Sequence, residues 1–213
     1  MKMNNLQVIN HPVLAAKLNR LRDKNIPPYE FRELSRQIST ILLTYATSEL
    51  SLKPTGTLAS PISTYEGFNI SERVAIIPIL RSGSVMIDPA LDLLPESTVF
   101  HLGLFREQKS LNPVEYFNKL PQKCEYDICY LLDPMIATGE TCNAAISTLK
   151  DWGAKKIKVV SFCSSNSGIS RLANIHSDVS FITGVVDPEI NEHGYLVPGY
   201  GDIGDRLFSS NNE

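Results

Sequence analysis

One stretch of this chain concentrates groups that could hold a phosphorylated ligand. Ile128-Cys-Tyr-Leu-Leu-Asp133 reads as a short buried strand ending in a carboxylate, and Pro134-Met135-Ile136-Ala137-Thr138-Gly139-Glu140-Thr141 then opens a helical pattern. In open α/β sheets, ligands bind at the carboxyl ends of strands. Backbone N–H groups at a helix N-terminus, joined by threonine hydroxyls, suit a phosphate. The same residues also make an ordinary strand–turn–helix in which Thr138 or Thr141 caps the helix, and on their own they leave both readings open. Two arginines sit in comparable places. Arg81 follows the apolar run Val74–Leu80 and precedes Ser82-Gly83, and Arg106 ends the run that starts at Thr98. Arginine offers a planar, permanently charged fork suited to phosphate, although each could equally sit in a surface ion pair, as Arg106 with Glu107.

The elements that must position these groups follow from the hydrophobic pattern. Leu14, Leu18 and Leu21 recur at helical spacing after Pro12, and Phe31, Leu34, Ile38, Leu42 and Tyr45 do so after Pro27-Pro28, predicting two opening helices. The turn-rich stretch from Lys53 to Asn69 predicts a hairpin. Beyond it come short apolar runs at Val74–Leu80, Thr98–Phe105, Ile128–Leu132, Ile157–Cys163 and Val179–Val186. They are continuous rather than alternating, as in strands buried on both faces of a mostly parallel sheet. Thr141–Trp152 reads as a helix stopped by Gly153, and Ser167–Ile175 as another. The expected fold is a single α/β domain over residues 1–213, a doubly wound, mostly parallel sheet. Residues 109–125, with Pro113, Tyr116, Phe117 and Pro121, are expected to leave the sheet as a protruding arm, and 187–208, rich in Gly and Asp, to form a C-terminal hood without a strand–helix unit.

Composition narrows the function. An apolar fraction of 43% supports a real core, and a net charge of −3 with no basic stripe argues against a nucleic-acid or membrane partner. The opening MKMNNLQVIN has no apolar secretion core, and no run approaches the ~18 apolar residues of a spanning helix. Cys124, Cys129, Cys142 and Cys163 form no CxxC pair, which predicts free thiols in a reduced cytoplasm. His11, His101, His176 and His193 are dispersed, and Trp152 reads as a packing residue before the helix stop.

The loop around Asp133 resembles the phosphoribosyl pyrophosphate loop of type I phosphoribosyltransferases. Leu-Asp-Pro-Met in place of two adjacent acidic residues is similar to the uracil phosphoribosyltransferase branch. Three further segments resemble it in the same order: Pro78-Ile-Leu-Arg-Ser-Gly83, His101-Leu-Gly-Leu-Phe-Arg-Glu107 and Gly194-Tyr-Leu-Val-Pro-Gly-Tyr-Gly-Asp-Ile-Gly-Asp-Arg206. The resemblance spans Leu6 to Phe208. It implies phosphoribosyl transfer to uracil, giving UMP and pyrophosphate. It places Arg81 and Arg106 at the pyrophosphate, Asp133 to Thr141 around phosphoribosyl pyrophosphate, and Asp202 at that substrate and its metal. Backbone atoms of Leu196, Gly201 and Ile203 would contact uracil. Asp133, Arg106 and Asp202 are the residues implied in the chemistry. Mg²⁺ is implied as cofactor, carried by the substrate's pyrophosphate with no dedicated protein cage. Members of the family form homodimers or homotetramers, for which 109–125 would supply the arm, and some respond to GTP. A non-catalytic regulator with the same fold would lose a catalytic element, and the joint presence of Asp133, Arg81, Arg106 and Asp202 speaks against it.

Three positions depart from the family pattern. Glu140 stands where a second loop glycine is usual, Ser167 where a Glu is more common, and Leu207-Phe-Ser-Ser where Phe-Gly-Thr is typical. An acidic side chain facing a 5′-phosphate would repel it, so Glu140 is expected to point to solvent. Asp205 and Arg206 are expected to form an internal ion pair that stabilises the hood.

Overall fold

Residues 4–106 and 113–209 are described by a computed structural model, without the side chains of 105, 106 and 113. The chain opens with a short strand, β1 (Leu6–Val8), that three residues could not announce. The two predicted helices follow as α1 (Pro12–Leu21) and α2 (Pro28–Ala46), each entered through a proline in its first turn. Leu14, Leu18 and Leu21 of α1 and Phe31, Ile38 and Leu42 of α2 are buried on one side of the sheet. The hairpin comprises β2 (Leu52–Ala59) and β3 (Thr64–Ile70), paired antiparallel. Every residue of β2 is exposed.

The sheet begins in earnest with β4 (Val74–Leu80), followed by a 3-10 turn (Ser82–Met86) and α3 (Ile87–Leu93). The apolar run from Thr98 is not one strand. It divides into β5 (Thr98–Val99), beside Ala75 and Ile76, and β6 (Leu102–Arg106), beside Ile79 and Leu80. Between them Phe100 stacks edge-on against Tyr126 and Trp152, with ring centroids 5.4 and 5.7 Å away. Part of the expected arm is also sheet: β7 (Pro113–Asn118) pairs antiparallel with β6. A proline is tolerated there because β7 is an edge strand. Residues 109–112 of that arm lie outside the described residues.

Then come β8 (Ile128–Leu132), β9 (Met135–Ile136), α4 (Glu140–Trp152), β10 (Ile157–Ser165), α5 (Asn166–Ile175) and β11 (Ser180–Asp187). The tail is more structured than a loop. β12 (Glu189–Ile190) pairs with β13 (Leu196–Val197), and a short helix, α6 (Ile203–Phe208), packs Ile203 and Leu207 into the core.

The sheet order is β1-β11-β10-β8-β4-β6-β7, parallel throughout except for β7. Successive residues of each central strand serve opposite faces, since side chains alternate along a strand. Val74 and Ile76 join α1, α2, α3 and α6 in one core, while Ala75, Ile77 and Ile79 join α4 and α5 in the other. The strand order reverses between the parallel neighbours β4 and β8: β4 leads by α3 toward β5 and β6, and β8 leads by α4 toward β10 on the other side. That gap is the switch point at which doubly wound sheets bind ligands.

Candidate active site

A pocket of about 200 Å³ opens at this switch point. Leu80 and Ser82 border it from the end of β4, Asp133 from the end of β8, and Thr138, Gly139 and Thr141 from the loop into α4. A larger cavity, about 390 Å³, lies at the other end of the strands, between Asn69, Arg73, Leu94 and Glu125. The larger cavity is lined by charged residues such as Glu72, Arg73 and Glu96, whereas the carboxyl-end pocket brings the buried Asp133 together with Ser82, Thr138 and Thr141.

The loop is held in shape by the sheet beneath it. Pro134 interrupts the pairing of β8, and its carbonyl accepts from the N–H groups of Phe162 (2.9 Å) and Cys163 (3.2 Å). The chain then rejoins the sheet as β9, beside Cys163 and Ser164 of β10. This detour leaves the Asp133 side chain against the pocket, only 8% exposed. Burial pushes its carboxyl up to about 7, against a weak opposing bond from the Met135 N–H at 3.5 Å. Near neutral pH the group therefore sits between its two protonation states. The Cys142 thiol also lines the pocket, and burial together with Asp133 pushes it well up, so it is not a nucleophile there.

Neither Thr138 nor Thr141 caps α4. The N-cap is Gly139 at φ +82°, which has no side chain to cap with. The ordinary capped-turn reading of this segment is therefore overturned. The start of this 13-residue helix meets the pocket at Gly139 and Thr141, and its dipole favours an anion there. The loop is pinned from behind by Ser165 at the N-cap of α5, whose hydroxyl donates to the Ala137 carbonyl (2.6 Å) and accepts from the Gly168 N–H (2.8 Å). Contact there is so close that a Cβ on Gly168 would lie 2.0 Å from the Ala137 oxygen.

Glu140 does not point simply to solvent. Its carboxylate accepts from the Arg171 guanidinium on α5, so a cation beside it offsets the charge that would repel a phosphate. Arg81 follows β4 with its side chain about half exposed, and it pairs with Asp205 at 3.0 Å. Asp202 is exposed at the N-cap of α6, where its Oδ1 accepts from the Asp205 N–H at 2.9 Å. Arg81 thus joins the pocket rim to the hood.

The expected Asp205–Arg206 pair is not formed. Arg206 donates instead to the carbonyls of Leu21 (2.9 Å), Tyr200 (2.9 Å) and Asp23 (2.6 Å) and stacks over the Phe31 ring. Leu196 and Ile203 are buried, and Gly201 lies at φ +70°, where a Cβ would come within 3.9 Å of the Arg206 Cδ. The hood residues do not themselves border the pocket. The backbone of Arg106 ends β6, at the same carboxyl edge of the sheet as Arg81 and Asp133, while its side chain and Glu107 lie outside the described residues. Two supports had no sign in the sequence: Ser165, an ordinary serine in a strand end, and Arg22, whose carboxylate partner lies 165 residues away.

Mg²⁺ takes oxygen ligands and is usually held through one or two carboxylates plus substrate phosphates. The pocket's donors, the Asp133 carboxyl and the hydroxyls of Ser82, Thr138 and Thr141, are of that hard type. Among the described residues no group of three or more His, Cys, Asp or Glu is placed to hold a metal by itself.

The overall arrangement recurs in solved structures. Adenine phosphoribosyltransferase from Trypanosoma brucei, 14% identical, has the same fold, with a TM-score of 0.56 over 89% of this chain and 86% of that one. The AQ2163 protein from Aquifex aeolicus is 28% identical and matches at 0.91 over 98% of this chain and all of the other. The doubly wound, mostly parallel sheet is the fold of the type I phosphoribosyltransferases. Uracil phosphoribosyltransferase from Roseiflexus sp. (strain RS-1) is 44% identical over 208 residues, covering 98% of this chain and 100% of the relative. That from Thermus thermophilus is 38% identical over 206 residues, covering 96% and 99%. The uracil phosphoribosyltransferase family profile matches residues 8–210, and the chain belongs to that family.

Proposed function

We propose that this enzyme transfers the phosphoribosyl group of phosphoribosyl pyrophosphate to N1 of uracil, forming UMP and releasing pyrophosphate. The observation that carries the reading is the N-terminus of α4, capped by Gly139 with Thr138 and Thr141 on either side, at the same pocket as the buried Asp133. The backbone N–H groups and threonine hydroxyls bind the 5′-phosphate. Asp133, next to them, accepts from the ribose hydroxyls and fixes the sugar. Arg81 and Arg106, at the ends of β4 and β6, receive the pyrophosphate, where their forks neutralise charge as its bond to C1′ breaks. Mg²⁺, if bound with the substrate's phosphates, would add to that neutralisation, with the Asp133 carboxyl and the hydroxyls of Ser82, Thr138 and Thr141 as the pocket donors and Asp202 approaching from the hood.

The transition state is oxocarbenium-like, so the protein's contribution is orientation and electrostatics. The hood reads uracil through backbone groups of Leu196, Gly201 and Ile203. Uracil presents two carbonyl acceptors flanking an N–H donor, a pattern that peptide groups match without a charged side chain. The same reading includes a homodimer or homotetramer, cytoplasmic location and GTP as effector. Assembly is supported by the apolar side chains exposed on the hairpin, among them Leu52, Ile62, Tyr65 and Phe68. Among the described residues no helix is long and apolar enough to cross a membrane.

The test is pyrophosphate release with uracil, cytosine, adenine and hypoxanthine, with and without Mg²⁺. Uracil-dependent, Mg²⁺-dependent release is expected, and release with another base alone refutes the assignment. Sedimentation with and without GTP tests the assembly.

A further inference from the structure

Arg22 lies at the C-terminal cap of α1, far along the chain from every residue assigned to the reaction. Its guanidinium grips Asp187, the last residue of β11, with Nη2 donating to Oδ1 at 2.6 Å and Nη1 to Oδ2 at 2.9 Å. Nη1 also donates to the Gly199 carbonyl at 2.9 Å, and the Gly199 N–H donates to Asp187 Oδ2 at 2.9 Å. Both polar groups of Gly199 are therefore fixed by one ion pair. The Tyr200 ring covers the guanidinium, its centroid 4.5 Å from Cζ. The carboxylate side chain is 3% exposed and the arginine 22%. Burial alone would push the Asp187 carboxyl up, but the bonds from Arg22, the Cys163 thiol and the Gly199 N–H outweigh it and hold the group below the ordinary range.

The turn so gripped is tight. Gly199 lies at φ +58°, and a Cβ there would come within 2.2 Å of the Leu196 carbonyl oxygen. Leu196 lies three residues before Gly199, and Gly201 and Ile203 two and four after it. These are the residues whose backbone reads the base. A buried ion pair is a poor source of net stability, since apolar replacements of similar volume are often neutral or better. What a bidentate fork supplies is geometry.

We propose that Arg22 is a positioning residue for base recognition: through Asp187 and Gly199 it sets the backbone register of the turn that carries Leu196, Gly201 and Ile203. This rests on the hood being the base site. Arg206 anchors the adjacent Tyr200 carbonyl to the same end of α1, whereas the Arg22–Asp187 pair holds the two successive peptide groups that flank the Gly199 Cα.

The test compares wild type with Arg22→Lys, Arg22→Met and Asp187→Asn. The readouts are steady-state constants for each substrate, the uracil-to-cytosine ratio of kcat/KM, and the thermal midpoint. Loss of one aligned hydrogen bond to a base changes discrimination by roughly tenfold or more. Arg22→Met is expected to raise KM for uracil roughly tenfold or more and to lower the uracil-to-cytosine ratio similarly. KM for phosphoribosyl pyrophosphate should stay within about twofold. Arg22→Lys, which keeps the charge and loses the fork, should recover part of the loss. A purely structural role would lower the active fraction, and so kcat, with both KM values and the ratio unchanged. That outcome overturns the proposal. If Arg22→Met does not fold, Arg22→Lys and Asp187→Asn decide by the same KM and ratio criteria. If wild type turns over another base instead of uracil, the uracil assignment falls, and the KM and selectivity comparison made with that base still decides the role of Arg22.

Discussion

Replacing Asp133 by Asn should make the protein more stable and nearly inactive, and the gain in stability should depend on pH. The carboxyl is raised from 3.8 to about 7 because burial disfavours its charged form. Each pKa unit is worth ~1.36 kcal/mol, so the shift corresponds to about 4 kcal/mol. Water in the open pocket reduces this to about 2–4 kcal/mol. The sign follows from proton binding. Between pH 4 and 7 the native state holds a proton that the unfolded state has lost, so stability falls as pH rises. Below about 4 both states are protonated and Asp133 adds no penalty, whereas above 7 the penalty is complete. Asparagine has the same shape, keeps an acceptor for the Met135 N–H, and does not titrate. The midpoint difference between Asp133→Asn and wild type should therefore grow from near zero at pH 4 to on the order of 10 °C at pH 8, using ~2–4 °C per kcal/mol for a chain of this size. Calorimetry across that range measures it. The same substitution should lower kcat/KM for phosphoribosyl pyrophosphate on the order of a hundredfold. A difference that does not vary with pH, or a variant less stable than wild type at pH 8, would refute burial as the cause.

Three further substitutions test the surrounding geometry. Arg81→Ala should weaken phosphoribosyl pyrophosphate turnover by roughly tenfold or more, and Arg81→Lys should recover only part, because an ammonium lacks the planar fork; equal kinetics of both with wild type would remove Arg81 from the site. Gly168→Ala places a methyl 2.0 Å from the Ala137 carbonyl oxygen, so the phosphate loop must shift. An increase in KM for phosphoribosyl pyrophosphate together with a lower melting midpoint is expected, and an unaffected enzyme would contradict the packing. The Tyr200 hydroxyl is buried without a partner among the described residues. Because an unsatisfied buried group costs ~1–3 kcal/mol, Tyr200→Phe should leave the midpoint unchanged or raise it, and a drop of more than about 5 °C would show that the hydroxyl is bonded.

The parts of the fold legible in the sequence are those whose burial leaves a one-dimensional trace. β4 and β8 are covered on both faces, so Val74–Leu80 and Ile128–Leu132 read as unbroken apolar runs with the bounds observed. The end of α4 was equally plain, because Gly153 takes the left-handed conformation that stops a helix. The exposed edge was harder. β1 has only three residues, none of them buried, and β7 starts at a proline that suggests a departure from the sheet. α6 did carry a signal: Asp202 stands three residues before Asp205, whose N–H it caps. The surrounding glycines masked it by suggesting a loop.

The site divides along a different line. Its phosphate end is local, because a strand end, a loop and a helix start are consecutive residues and their chemistry can be read in order from Asp133 to Thr141. Even there, sequence left open whether a threonine capped the helix, since the residues of a capped turn and of a phosphate cradle are the same. The structure puts Gly139, not a threonine, at the N-cap. Glu140 shows the converse. Beside a phosphate loop an acidic side chain looks like a defect, yet α5 brings Arg171 to it from 31 residues away. The base end is non-local throughout. The turn that carries Gly201 is held by Arg22 and Arg206, whose partners are carbonyls and a carboxylate from α1, β11 and the hood itself. Backbone acceptors have no residue type, so no spacing rule could have revealed them. On the proposed reading, peptide groups that read a base must be fixed by other residues, and here Arg22 does so from the C-terminal cap of α1 and Arg206 from α6.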